Sequence, residues 1–321
     1  MTLELLQENL TNPALLFFAL GIVAVYLKSD LEIPANSSKF ISLYLLFAIG
    51  FKGGQELSHE EIDGEVIGSI VLGVAISALI PLYTFFVLKR KLNVHDAGAI
   101  AAAYGSVSAV TFVTAVTYLE SQQYIFHGHM VATMALMESP AIIMGLLLIS
   151  LFDKQRSAGV KKRDVIKHSF TNGSVLLILG SLLIGYFANA KQAEGIKPFT
   201  NDLFKGFLAI FLLDMGITSG RKLKSFFAYG SFPLLFAIFV PLFNGCLVAL
   251  ISAPFIHDIS NRFILAILAA SASYIAVPAA MKISAPKADP GLYLPMALAV
   301  TFPINITIGM PLYLMVAQWT G

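Results

Sequence analysis

From residue 226 to residue 254 the chain carries no charged side chain at all. That run exceeds the roughly 20 apolar residues that take a helix across a hydrocarbon core about 30 Å thick. Nine further apolar segments follow the same pattern, at 12–28, 39–52, 63–88, 96–118, 128–152, 170–189, 203–219, 262–282 and 291–319. The shorter ones fit helices that are broken and enclosed by protein, where backbone polar groups are still satisfied internally. Membrane β-barrel strands alternate over about 10 residues, so these continuous runs exclude a barrel. The expected fold class is an all-α polytopic membrane protein of ten transmembrane segments.

Composition agrees. Charged residues make up 12% and hydrophobic residues 57% of 321, against roughly 25% charged for a soluble domain. Such a chain has too little polar surface to face water all round, and is suited to solvation by lipid. A net charge of +2 gives nucleic acid no footing. A single cysteine, Cys246, rules out a disulfide framework. The opening MTLELLQENL has no basic residue ahead of its apolar run, so no cleaved signal peptide is expected.

The basic residues set a topology. Connections after odd-numbered segments hold sixteen of the 21 Lys and Arg, with the densest group between 153 and 169; Lys52, Lys191, Lys197, Lys205 and Arg262 fall on the other side. The richer side is expected to be cytoplasmic, with both termini outside.

The two halves of the chain resemble each other. A shift of 165 lays 98–119 on 263–284, so that Ser106 meets Ser271 and Ser108 meets Ser273. A shift of 166 lays 46–57 on 212–223, so that Gly50 meets Gly216 and Gly54 meets Gly220. Thr11-Asn12 matches Thr171-Asn172, and Pro140 matches Pro303 with a small insertion. Five segments per half is an odd number, so the second half enters from the opposite side, the inverted-repeat plan of many carriers. The expected organisation is a first repeat at 1–152, a basic cytoplasmic linker at 153–169 and an inverted second repeat at 170–321.

Such carriers bind solute at broken helices near the midplane, where exposed N–H and C=O groups hold anions and cations. Breaks are expected at 103–111, Ala-Tyr-Gly-Ser-Val-Ser-Ala-Val-Thr, and at its mate 270–278, Ala-Ser-Ala-Ser-Tyr-Ile-Ala-Val-Pro. The candidate solute-binding residues are Gly105, Ser106, Val107, Ser108, Ala272, Ser273 and Tyr274. Small residues also line close helix contacts in membranes, and the symmetric pairing is what favours a binding site. Glu138, well inside the fifth segment, is the sharpest single residue, because a carboxylate at that depth needs a cavity, a cation or a partner. Hard cations prefer oxygen ligands, so the candidate sodium ligands are Thr111, Glu138, Ser271, Thr301 and Asn305. Asp214 reads as structural, Lys52 as snorkelling to the interface, and His127 and His129 stay unassigned. No phosphate loop, zinc motif or nucleophile elbow occurs, so no enzyme and no cofactor is expected.

Gly50-Phe-Lys-Gly-Gly-Gln-Glu-Leu57, Val107 to Thr111 leading to Thr117-Tyr-Leu-Glu120, Glu138-Ser-Pro-Ala141 and Ala270 to Ile275 resemble the sodium-dependent bicarbonate transporter family over nearly the whole chain. The resemblance implies sodium/bicarbonate symport, crossing broken helices, a homotrimer in the lipid of a bacterial inner membrane, and room for control by a PII-like regulatory protein. The chain departs from the family where Tyr274 replaces a common Asp, where Ala276 and Val277 replace Ser and Gly, and where Glu138 replaces Asp. Those departures leave open an organic anion as solute, or a channel or non-transporting sensor on the same scaffold.

Overall fold

The computed structural model describes residues 13–153 and 173–320, and no strand occurs among them. The basic linker at 153–169 lies outside the described residues apart from Asp153. The helices are α1 (Pro13–Tyr26), α2 (Ala35–Leu57), α3 (Gly64–Leu88), α4 (Val94–Gly105), α5 (Ala109–Ser121), α6 (His129–Phe152), α7 (Gly173–Phe187), α8 (Ala190–Lys197), α9 (Phe204–Phe226), α10 (Ser231–Ile251), α11 (Ile259–Ala270) and α12 (Ala276–Ser284). The last helical run, α13, covers Pro290–Trp319. Among the described residues six helical stretches, the interrupted Val94–Ser121 included, are long and apolar enough to cross a membrane.

The helices pack as two bodies. In the first, α1 lies along α9 and α2 along α7. In the second, α3, α4 and α6 form one cluster and α10, α11 and α13 another, joined where α11 meets α5 and α12 meets α4. Each body therefore draws helices from both halves of the sequence.

Glycines set the close approaches in the first body. A Cβ on Gly54 of α2 would sit 2.1 Å from the Leu182 carbonyl oxygen of α7, and one on Gly216 of α9 would sit 2.1 Å from the Phe18 carbonyl oxygen of α1. Without a side chain there, the backbones come together as small-residue stripes allow in lipid.

Lipid contact is legible on the outside. Ile67, Val71, Leu79 and Phe86 of α3 and Phe239 and Phe243 of α10 are exposed, which in water would be an aggregation surface. In α13 the ladder widens into π-helical stretches at Met296–Thr301 and Asn305–Gly309. Pro295, Pro303 and Pro311 each lack an N–H, and their spacing forces the neighbouring hydrogen bonds to shift. By contrast α6 runs unbroken through Pro140.

Connections meet at two ends of the molecule. At one end Glu60, His127 and Asp258 come together from the α2–α3, α5–α6 and α10–α11 connections. At the other, Asp289 N–H donates to Asp96 (2.7 Å) and the Tyr229 hydroxyl donates to Asp289 (2.7 Å).

Candidate functional site

Two short helices lie at the centre of the second body, and both stop abruptly. Asn93 caps α4 by accepting from the Asp96 N–H (2.9 Å), and Asp258 caps α11 by accepting from the Asn261 N–H (2.8 Å). Every residue of α4 from Asp96 and of α11 from Ser260 is buried. Of the apolar core within Val94–Ser121, 94% is buried in protein, against 39% in α3 and 44% in α6. This enclosure is what permits a broken backbone at membrane depth.

Helix α4 ends at Gly105, Ser106 is extended, and Ser108 caps α5 with its Oγ accepting from the Thr111 N–H (3.2 Å). Helix α11 ends at Ala270, Ser271 is extended, and α12 begins at Ala276. The two breaks touch. Ser273 N–H donates to the Ala103 carbonyl (2.8 Å), while Ser108 N–H donates to Ser271 Oγ (2.9 Å), which itself donates to the Leu268 carbonyl (2.8 Å).

A narrow cavity of about 30 Å³ opens beside the crossing, room for only about one or two waters. Val107, Ser108, Ser273 and Tyr274 line it from the breaks, Glu138 and Met134 from α6, and Leu46 and Ile178 from the first body. It therefore lies between the two bodies. No described residue hydrogen-bonds the Glu138 carboxylate. The Tyr274 hydroxyl is buried beside Ser108, and its ring packs edge-on to Phe302.

The remaining candidates are placed around this cavity rather than on it. Gly105 backs against Pro81 of α3, where a Cβ would lie 2.3 Å from the ring. Ser106 and Ala272 are buried within the breaks, and the Ser106 hydroxyl has no hydrogen-bond partner among the described residues. Thr111 is buried in the first turn of α5. Thr301 donates to the Ala237 carbonyl (2.8 Å) and takes a hydrogen bond from the Tyr104 hydroxyl (2.7 Å). Asn305 donates to the Ala270 carbonyl (2.8 Å) and accepts from the Tyr313 hydroxyl (2.9 Å). These two residues lash α13 to the helices around the crossing.

One expectation changes and one is met. Lys52 does not snorkel: it pairs with Glu120 of α5, drawn inward by that carboxylate. Asp214 accepts from the Ser38 hydroxyl and so ties α9 to α2, a tertiary contact. Sequence spacing hides such pairings, although Lys52 and Glu120 both sit in segments already singled out.

His127 and His129 also find partners. Glu60 accepts from the Gly128 N–H (2.6 Å) and from His129 Nδ1 (2.8 Å), and His127 lies 3.6 Å from both Glu60 and Asp258. The two carboxylates beside it push the His127 imidazole up to about 10, and the donors and cation around them hold Asp258 and Glu60 below the usual carboxylate range against the effect of burial. No metal-binding group of His, Cys, Asp and Glu occurs among the described residues.

Buried, interrupted helices beside a cavity between two bodies, with apolar side chains turned outward, fit a multi-pass membrane protein. The chain belongs to the Na+-dependent bicarbonate transporter superfamily, whose family model matches residues 13–318. It is a transporter and not an enzyme. No curated protein matches it.

Proposed function

We propose that this chain is a ten-span inverted-repeat carrier that moves bicarbonate, or a similar small anion, together with sodium by alternating access. The observation that carries this reading is the meeting of both interruptions with Glu138 on one cavity between the two bodies. Support for the repeat comes from the packing order: first with seventh and second with sixth segments, fourth crossing ninth. Support for ten crossings comes from the connections. Those after the second, fourth and eighth segments gather around His127, and those after the third, seventh and ninth around Asp289. On this reading the His127 face is external and both termini lie outside.

The anion sits against Ser108, Ser273 and the Tyr274 hydroxyl. Tyr274 supplies a neutral donor where an acid would repel an anion, which leaves Glu138 as the acidic oxygen ligand for sodium. Thr111 and the freed carbonyls of the breaks supply neutral oxygens. The polar atoms of Thr301 and Asn305 are already engaged, so they frame the site. Co-binding offsets the two charges, and so narrow a cavity must widen to admit bicarbonate. Movement of one body against the other supplies that widening. Assembly as a trimer and control by a PII-like partner belong to the family resemblance.

Uptake of labelled bicarbonate into liposomes carrying the purified protein tests this. Saturable uptake that needs a sodium gradient is expected. Non-saturable, sodium-independent flux would make the protein a channel, and no flux with any small anion would sink the carrier reading.

A further inference from the structure

A second, larger cavity of about 220 Å³ lies between the two bodies, beyond the crossing. Helices α2 and α5 line both cavities. Leu46 and Ser108 face the first, and Lys52, Thr117 and Glu120 the second. At 1.5 Å per residue the second cavity lies roughly 9–14 Å further along these helices. Thr200, Asn201 and Lys205 complete its wall.

The chemistry of this wall favours an anion. It carries two lysines and one glutamate. Lys52 and Glu120 pair with each other, and of the ion pairs between described residues theirs alone joins helices of the two bodies. Lys205 has no ion-pair partner among the described residues. The Asn201 side-chain oxygen accepts from Thr200 (3.0 Å), which leaves its NH2 group as a donor. Thr117 spends its hydroxyl hydrogen on the Val113 carbonyl (3.1 Å).

We propose that this cavity is a waiting site for a small oxyanion on its way to the crossing. Lys205 and the Asn201 amide receive the anion, and Lys52 exchanges Glu120 for it, so that arrival of the anion undoes the ionic tie between the bodies. The place of this cavity on a route to the crossing, and the identity of the anion as bicarbonate, rest on the transport reading above; the binding of a small oxyanion here does not.

The test uses Thr117→Cys in a Cys246→Ala background, in the full chain reconstituted into liposomes. Rates of modification are measured with an anionic sulfonatoethyl and a cationic trimethylammonium-ethyl methanethiosulfonate. A unit charge about 7 Å away through water changes each rate by roughly a factor of e, in opposite directions. Lys205→Gln is therefore expected to lower the anion-to-cation ratio on the order of sevenfold, and Glu120→Gln, by freeing Lys52, to raise it. Sodium bicarbonate is expected to slow labelling in the parent, sodium chloride much less, and protection is expected to weaken in Lys205→Gln. Ratios unmoved by both substitutions, or labelling indifferent to bicarbonate, overturn the site. Lys205 is exposed, so its loss does not threaten folding. Labelling needs no turnover. A protein with a selective, protected cavity but no uptake keeps this site and loses the transport reading, and the converse loses only the site.

Discussion

The two interruptions share a plan and differ in chemistry. Both follow a buried half-helix with a side-chain cap, and both back onto one cavity. Yet Ser273 reaches the Ala103 carbonyl directly, whereas Ser108 reaches Leu268 only through the Ser271 hydroxyl. The mate of Ser271, Ser106, is buried with no hydrogen-bond partner for its hydroxyl among the described residues. The flanking helices diverge in the same way. Glu138 of α6 has no hydrogen-bond donor among the described residues, while Thr301 and Asn305 of α13 are fully engaged. A duplicated backbone thus divides its labour in the flanking helices: α13 spends Thr301 and Asn305 on holding the crossing, and α6 keeps Glu138 for a solute.

Glu138 gives the largest expected effect. Glu138→Ala and Glu138→Gln should each reduce sodium-dependent uptake to the empty-liposome background. Expression and thermal melting should stay as in the parent, because no hydrogen bond within the protein is lost. Sodium dependence that survives in Glu138→Gln would remove the residue from the ion site and leave the two copies chemically equal.

Asn305→Ala should do the reverse. It strands the Ala270 carbonyl, and the Tyr313 hydroxyl keeps only a longer bond to the Pro241 carbonyl (3.3 Å). One buried orphan costs about 1–3 kcal/mol, and a loss of that size is expected in detergent unfolding. The substrate concentration for half-maximal uptake in the surviving protein should change little. A large change there, with normal stability, would return Asn305 to the sodium ligands.

The serines refine the comparison at smaller scale. Ser271→Ala removes the relay and should cost about 1–2 kcal/mol of stability, with modest effect on uptake. Ser108→Ala removes a helix cap, at about 1 kcal/mol, and a wall of the cavity. It should therefore raise the half-saturating bicarbonate concentration as well, as should Ser273→Ala. Equal behaviour of Ser271 and Ser106 in stability and uptake would mean that the two copies do the same work.

Much of this was legible in the sequence, and for physical reasons. Apolar runs declare helices, and Gly105-Ser106 and Ser271 to Ser273 declare breaks, because glycine and serine interrupt an otherwise uniform run. What stayed hidden depends on distance along the chain. Lys52 and Glu120 lie 68 residues apart, and no local period announces that they meet. Nor does any pattern reveal that Asn305 spends its amide on Ala270, since the same residue in the same segment would serve equally as a ligand. Composition locates polar groups in the membrane, and only packing says which of them are already satisfied.

The caps of the two half-helices offer the last contrast and the smallest effect. Asn93 is neutral, so pH leaves its capping bond to α4 untouched. Asp258 caps α11 within a charged group that also holds His127, Glu60, His129 and Glu65, the last accepting from the Asp258 N–H (3.0 Å). His127, raised from 6.5 to about 10, contributes stability that is complete below about pH 6.5 and is lost as pH climbs through about 10. Glu60 and Asp258, both lowered, contribute above the ordinary carboxylate range and lose that contribution in acid. The parent should therefore melt progressively lower between pH 8 and pH 10, and the slope should flatten in His127→Gln. Amide exchange should show the added opening at the start of α11 and not at the start of α4. Equal exchange at both ends, or an unchanged slope in His127→Gln, would mean that the charged group does not hold the second half-helix.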